Sequence, residues 1–251
     1  VLEPADSQEA YEMTKQAFVL SETYETPVLL RLTTRICHVK ALVTVGERVQ
    51  HVAAGFKKEA ARWVMVPGAA AKRIPLMFER EGKLREEAEV TALNVTETGE
   101  GGKTDRRVGF VTSGPAYMHV RETFPNAPVL KLGLSYPAPF EKIRAFAATV
   151  EQCVVVEEVE PLVETELKAQ GLKVIGKEIL PLQGELSPNV LKPAIARLLG
   201  EIVPETQSTA AMPVFPRPPT MCDACKFHPH RYPRRQACRC IQDDFGQIAQ
   251  A

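Results

Sequence analysis

The chain has 251 residues, with lysine plus arginine matching aspartate plus glutamate at 31 each, so its formal net charge at neutral pH is zero. That length holds one large or two small domains of roughly 100 to 200 residues each. Balanced charge gives no global positive field for nucleic acid or an anionic membrane surface, and no apolar run approaches the roughly 18 residues of a membrane span. The expectation is a cytoplasmic chain, with no nucleic acid and no membrane among its partners.

The opening residues, Val1-Leu2-Glu3-Pro4, carry neither the basic region nor the apolar core of a signal peptide. They also lack an initiator methionine, and the sequence reads as a piece of a longer polypeptide. Asp6, Ser7 and Glu9 supply cap residues and first-turn acid for a helix running to about Tyr24, with Ala10, Met13, Ala17 and Leu20 on its inner face. Residues 27–33, PVLLRLT, read as a strand, and Arg35 and His38 stand at its carboxyl end as an ordinary polar strand end or as holders of an anion. One helix and one strand cannot bury their own faces. This piece therefore completes a sheet formed later in the chain, or it belongs to a domain with further strands.

Composition changes after residue 40. Residues 43–52 alternate loosely like an edge strand, and residues 69–90 form a charge-laced helix with Ile74, Met77, Phe78 and Leu84 as its apolar positions. The positives Lys57, Lys58, Arg62, Lys72 and Arg73 are followed by Glu79, Glu81, Glu86, Glu87 and Glu89, the pattern of a solvated arm more than of a phosphate or RNA site. Residues 97–105, ETGEGGKTD, read as a polar linker.

The most regular stretch follows. Val108, Phe110 and Val111 make a short buried strand that stops at Ser113-Gly114-Pro115, where proline fits the first turn of a helix over residues 116–123 and Ser113 or Gly114 can cap it. Val129-Leu130-Lys131-Leu132 is the next strand, so the unit is βαβ and its strands are parallel. The beat repeats. Phe140, Ile143, Phe146 and Ala147 mark a helix, residues 153–156 a strand, residues 161–172 a helix, and residues 174–176 an edge strand. Ser187-Pro188 caps a last helix over residues 189–200 with Val190, Ala194, Ile195 and Leu198 inward. The fold class is α/β, an open and mostly parallel sheet covered by helices. Neither G-x-G-x-x-G nor G-x-x-x-x-G-K-[ST] occurs, which disfavours a nucleotide site at Ser113-Gly114.

Of the six cysteines, Cys37 and Cys153 lie in apolar, strand-like surroundings and read as buried thiols. Beyond a proline-rich segment, Cys222, Cys225, Cys238 and Cys240 fall within 19 residues as C-x2-C-x12-C-x-C. Thiolates three positions apart can turn toward one metal, so these four are candidate ligands for zinc or an iron–sulphur cluster, with His228 or His230 able to replace one.

In order along the chain, EPADSQEAYEMTKQAFVLSE, PVLLRLTTRICH, FKKEAARWVMVPGAAAKRIP, VGFVTSGPAYMHV, VLKLGLSYPAP, VVVEEVEPLVE, VIGKEILPLQGELSP and RPPTMCDAC resemble the indolepyruvate:ferredoxin oxidoreductase α subunit, of the thiamine-diphosphate-dependent 2-oxoacid:ferredoxin oxidoreductase superfamily. The resemblance covers roughly residues 3–225. It implies the end of a pyrimidine-binding domain over residues 1–40, a connector with a helical arm over 41–106, a domain resembling the transketolase carboxyl-terminal domain over 107–200, and over 201–251 a linker and cysteine tail that opens a truncated thiamine-diphosphate domain. For the full family enzyme it implies oxidative decarboxylation of aryl pyruvates to acyl-coenzyme A, with thiamine diphosphate, Mg and 4Fe-4S clusters as cofactors and a small β subunit and ferredoxin as partners. The family's segments that hold the aminopyrimidine and the diphosphate lie outside residues 1–251, and residues 226–251 follow no family pattern. The expectation is a fragment without catalytic residues of its own, inactive alone, whose sheet supports a neighbouring site and encloses no charged pocket. The competing reading is a non-catalytic α/β scaffold or assembly module with a metal-binding cysteine tail.

Overall fold

A computed structural model describes residues 1–48, 55, 58–99 and 103–203. The chain divides into two compact units, Val1–Glu205 and Thr206–Ala251, and the second lies outside the described residues, as do the four tail cysteines.

The sheet forms where the sequence is most apolar. Strands β2 (Val108–Ser113), β3 (Val129–Leu132) and β4 (Gln152–Val156) pair in parallel in the order β3-β2-β4, with Phe110 opposite Val129 on one side and Val154 on the other. Both faces are covered, as parallel sheets require. On one face Val108, Phe110, Val129 and Val154 meet α5 (Gly114–Thr123) and α8 (Pro188–Leu198) through Val120, Leu191 and Ile195. On the other, Val111, Leu130, Leu132 and Val155 meet α6 (Phe140–Ala147) and α7 (Leu162–Ala169) through Ile143, Phe146 and Leu167. Phe110 and Phe124 stack with ring centres 5.0 Å apart. Gly109 allows a close approach, because a Cβ there would stand 2.7 Å from Val150 Cγ1.

Three strand expectations are corrected. The fourth strand is not residues 174–176, which contribute only the parallel bridge Val154 to Ile175, but β1 (Asn94–Glu97), antiparallel to β3 at the opposite edge. Of residues 27–33 only Leu30 bridges, to Leu2, and the chain turns into the short helix α2 (Thr34–His38). The physical reason is a short partner: among the described residues the neighbour of this segment is the brief stretch Val1 to Glu3, which bonds on one side to Leu29 and Arg31 and on the other to Gly133 and Ser135. Of residues 43–52, expected as an edge strand, residues 43–48 carry no regular structure and residues 49–52 lie outside the described residues.

Helix α1 (Ser7–Tyr24) starts as expected, with the Asp6 side chain accepting from the Glu9 N–H. Helix α3 (Ala60–Trp63) is a single turn, and α4 (Pro67–Val90) runs 24 residues. Leu2, Met13, Ala88 and Leu134 form a third apolar cluster that fastens α1 and the carboxyl end of α4 to the sheet domain. Of the apolar positions of α4, Ile74, Met77 and Phe78 are exposed, and Ala88 is its buried residue.

Candidate functional site

Strand β2 leads into α5 on one face of the sheet and β4 into α7 on the other. The carboxyl ends of these neighbours therefore form a topological switch point, where open α/β sheets leave a crevice. A cleft of about 790 Å³ lies there, lined from β2–α5 by Ser113 and Pro115, from the loop after β4 by Glu157, Glu158 and Val159, and from the amino-terminal segment by Arg31. The expectation that residues 1–251 enclose no pocket of acidic and basic groups is corrected.

Glu3 is the hub of its floor. Its Oε2 accepts from Arg31 Nη1 at 2.6 Å and Ser113 Oγ at 3.1 Å, and its Oε1 accepts from Ser135 Oγ at 2.7 Å. Ser113 thus spends its hydroxyl on Glu3, and no side-chain cap bond forms at the start of α5. Gly114, with φ of +54°, takes the left-handed turn that brings the chain into the helix.

The loop after β4 is strapped from three sides. The Glu157 carboxylate accepts from the N–H groups of Val163 at 2.9 Å and Glu164 at 3.0 Å, capping α7. Lys177 Nζ donates to the Glu157 carbonyl at 2.6 Å, and Glu158 accepts from the Leu186 N–H at 3.3 Å. Burial pushes the Glu157 carboxyl above the usual range, against the pull of its two N–H donors, and Glu3 and Glu164 push the same way. Burial likewise lowers Lys177. Val159 at the tip has φ of +65°, a strained setting for a β-branched residue.

A second polar network joins α1, α5 and the sheet. Lys131, in the middle of β3, pairs with Glu9 and lies 4.4 Å from the centre of the Tyr117 ring. The Tyr117 hydroxyl donates to Glu97, and burial, followed by that bond, pushes its pKa up to about 12. Sequence reasoning missed both networks. Lys131 was the one signal, a charge inside an apolar strand that must find a partner.

Arg35 lies in α2 and pairs with Glu185 at 2.5 Å. His38 is exposed. Cys153 is buried, as expected, whereas Cys37 is exposed on α2. Cys222, Cys225, Cys238 and Cys240 cannot be placed, since they lie outside the described residues. Among the described residues no group of three or more His, Cys, Asp or Glu could hold a metal ion.

The cleft does not fit thiamine diphosphate with its magnesium. Glu3, Glu157, Glu158, Glu160 and Glu166 outnumber Arg31 along its walls, a field that repels a diphosphate, and the carboxylates of Glu3 and Glu157 already have their donors. What the arrangement does is fasten the amino-terminal segment to Ser113 of β2 and to Ser135 through Glu3, and the loop after β4 to α7, Lys177 and Leu186.

No protein-family model matches the chain. Indolepyruvate oxidoreductase subunit IorA of Thermococcus kodakarensis is 36% identical over 255 residues, 92% of this chain and 38% of that protein. The chain is similar to IorA over that span. IorA of Methanothermobacter thermautotrophicus is 37% identical over 245 residues with the same coverage, and IorA of Archaeoglobus fulgidus is 31% identical over 266 residues, 99% of this chain and 41% of that protein. The chain thus spans about two fifths of the length of the IorA relatives it matches. Among solved structures, a 2-oxoglutarate:ferredoxin oxidoreductase from Magnetococcus marinus, with 2-oxoglutarate, coenzyme A and succinyl-CoA bound, aligns with 54% of this chain and 24% of that one at 19% identity and a TM-score of 0.40. No helix among the described residues is long and apolar enough to cross a membrane.

Proposed function

We propose that this chain is the supporting part of an indolepyruvate:ferredoxin oxidoreductase α subunit. The observation that carries the reading is its identity of 31 to 37% to the IorA subunits across nearly its whole length. In the complete cytoplasmic enzyme, an aryl pyruvate loses its carboxylate as carbon dioxide, its acyl group passes to the thiol of coenzyme A, and the two electrons released pass through 4Fe-4S clusters to ferredoxin. Thiamine diphosphate with magnesium supplies the carbanion chemistry of such reactions, and no step of it is assigned to residues 1–251.

Residues 107–200 act as the transketolase carboxyl-terminal-like domain, residues 1–40 as the end of a pyrimidine-binding domain, residues 41–106 as the connector, and residues 201–251 as the threshold of the cofactor domain. Saturated carboxylates in the switch-point cleft suit a rigid wall beside a site built by other segments, with a small β subunit as partner. The test is a chimera in which this chain replaces the matched stretch of T. kodakarensis IorA, assayed with its β subunit for coenzyme A-dependent oxidation of indolepyruvate. Turnover supports the reading; a folded chimera that binds thiamine diphosphate and gives no turnover overturns it.

A further inference from the structure

The first half of α4 carries an apolar stripe that the described residues leave uncovered. Residues along a helix advance by about 100° each, so Ala71, Ile74, Pro75 and Phe78 fall within about 100° of arc, and Met77 borders them. Phe78 is 60% exposed and Ile74 50%, and Ala71 and Pro75 are exposed with them. Gly68 and Gly82, a turn beyond either end of the stripe, have open space where a side chain would stand. Past Phe78 the face becomes charged, with Arg85 paired to Glu81 at 2.6 Å. The opposite side of the helix is the one tied to the body: Arg80 donates there to the Glu25 carbonyl at 3.1 Å, at the end of α1.

Charge is divided along the same helix. Before Phe78 the charged residues of α4 are Lys72 and Arg73, whereas after it Glu79, Glu81, Glu86, Glu87 and Glu89 outnumber Arg80, Lys83 and Arg85. Two such helices attract when antiparallel and repel when parallel, and their opposed dipoles act in the same sense. A closed two-fold pair brings one surface against itself. With the axis between Pro75 and Leu76, Phe78 of each copy falls between Ala71 and Ile74 of the other, and Lys72 falls level with the other copy's Glu79. Lys72 and Glu79 stand on the same shoulder of the stripe, about 100° from its centre, and like shoulders meet in an antiparallel pair. Among the described residues Lys72 has no ion-pair partner, and Glu79, paired to Lys83 at 2.7 Å, keeps a side-chain exposure of 59%.

We infer that α4 is a self-association site, on which a second copy of this chain packs antiparallel through Ala71, Ile74, Pro75 and Phe78. A face of this length buries less than the roughly 1,600 Å² of a standard interface, so the dimer is reversible and forms at micromolar concentration. Nothing in it depends on the activity proposed above.

Sedimentation velocity of the purified chain over a concentration series provides the test. The chain should pass from monomer to dimer through the micromolar range. Phe78→Glu alters an exposed side chain, so it should leave the melting temperature of the dilute chain unchanged and weaken the dimer about tenfold or more. Lys72→Glu and Glu79→Lys should each weaken self-association several-fold, because each sets like charges across the axis. An equimolar mixture of those two variants has opposite charges at both pairs, and should form a mixed dimer tighter than either variant forms alone. Three results overturn the inference: a chain monomeric throughout, whose α4 face then belongs to a different partner; a dimer indifferent to Phe78→Glu; or a mixture no tighter than its components.

Discussion

The carboxylate of Glu164 occupies the place where a side chain on Gly176 would have to stand. Glu164 is buried on α7, accepts from the Lys177 N–H at 3.0 Å and from Lys168 Nζ at 2.7 Å, and so pins the bridge residue Ile175 beside β4. Gly176→Ala would expel the carboxylate from both donors. The expected loss is about 2 to 4 kcal/mol, combining overpacking with a buried charge left without its partners. Urea denaturation measures it, and a loss within experimental error would show that Glu164 has another place to go.

Val159 supplies the opposite case. Its φ of +65° is strained for a β-branched side chain, and 52% exposure leaves little packing to lose. Val159→Asn should raise stability by about 1 kcal/mol, since asparagine tolerates the left-handed region at lower cost. A destabilised variant would mean that the valine side chain is held by contacts stronger than the strain.

The two described cysteines should behave differently toward an alkylating reagent. Burial pushes the Cys153 thiol up to about 12, which keeps it protonated and unreactive, whereas Cys37 is exposed. In a timed iodoacetamide reaction mapped by peptide mass spectrometry, Cys37 is modified first and Cys153 only at the rate of unfolding. Comparable rates in the native protein would contradict the placement of Cys153 in the core.

The pH dependence has a definite sign. Burial raises the Glu157 carboxyl, so the folded chain binds that proton more tightly than the unfolded chain does. Stability from this group is intact below the unfolded value of about 4.3 and falls as pH rises from there through the raised folded value. Glu178 works the other way: the Lys168 ammonium and the Gly176 N–H hold it down at about 2, so its contribution is present above the unfolded value and fades in stronger acid. It is half exposed, and solvent screening keeps that contribution small. Glu157→Gln should therefore lose a cap bond to α7 at every pH, yet recover relative to the parent as pH rises above the unfolded carboxyl value of about 4.3 and through the raised folded value. A pH-independent difference in melting temperature would remove the assigned shift.

What was legible in the sequence was whatever the apolar pattern dictates locally. Val108, Phe110 and Val111, the Ile143 and Phe146 stripe, and the run Cys153 to Val156 lie in the elements expected of them, because burial on both faces of a parallel strand leaves a continuous apolar signature. Strand β1 was hidden because its one buried residue is polar: Asn94 Oδ1 accepts from the Leu134 N–H at 2.9 Å, and Val95 is exposed. The apolar run around Leu30 misled, since composition cannot say whether a partner strand is present. The cleft was illegible for a similar reason. Glu3 meets Ser113 and Ser135 across separations of 110 and 132 residues, and nothing near Glu3 in the chain announces either contact.

Residues 1–251 either support a catalytic site built elsewhere or contain one. Indolepyruvate-dependent reduction of ferredoxin by the purified chain, supplied with thiamine diphosphate, magnesium and coenzyme A, measures this directly. The predicted result is no turnover above the protein-free rate, because the switch-point cleft is acidic and the carboxylates of its hub Glu3 and its cap Glu157 are already bonded. Acyl-coenzyme A formed in proportion to the chain's concentration would contradict it.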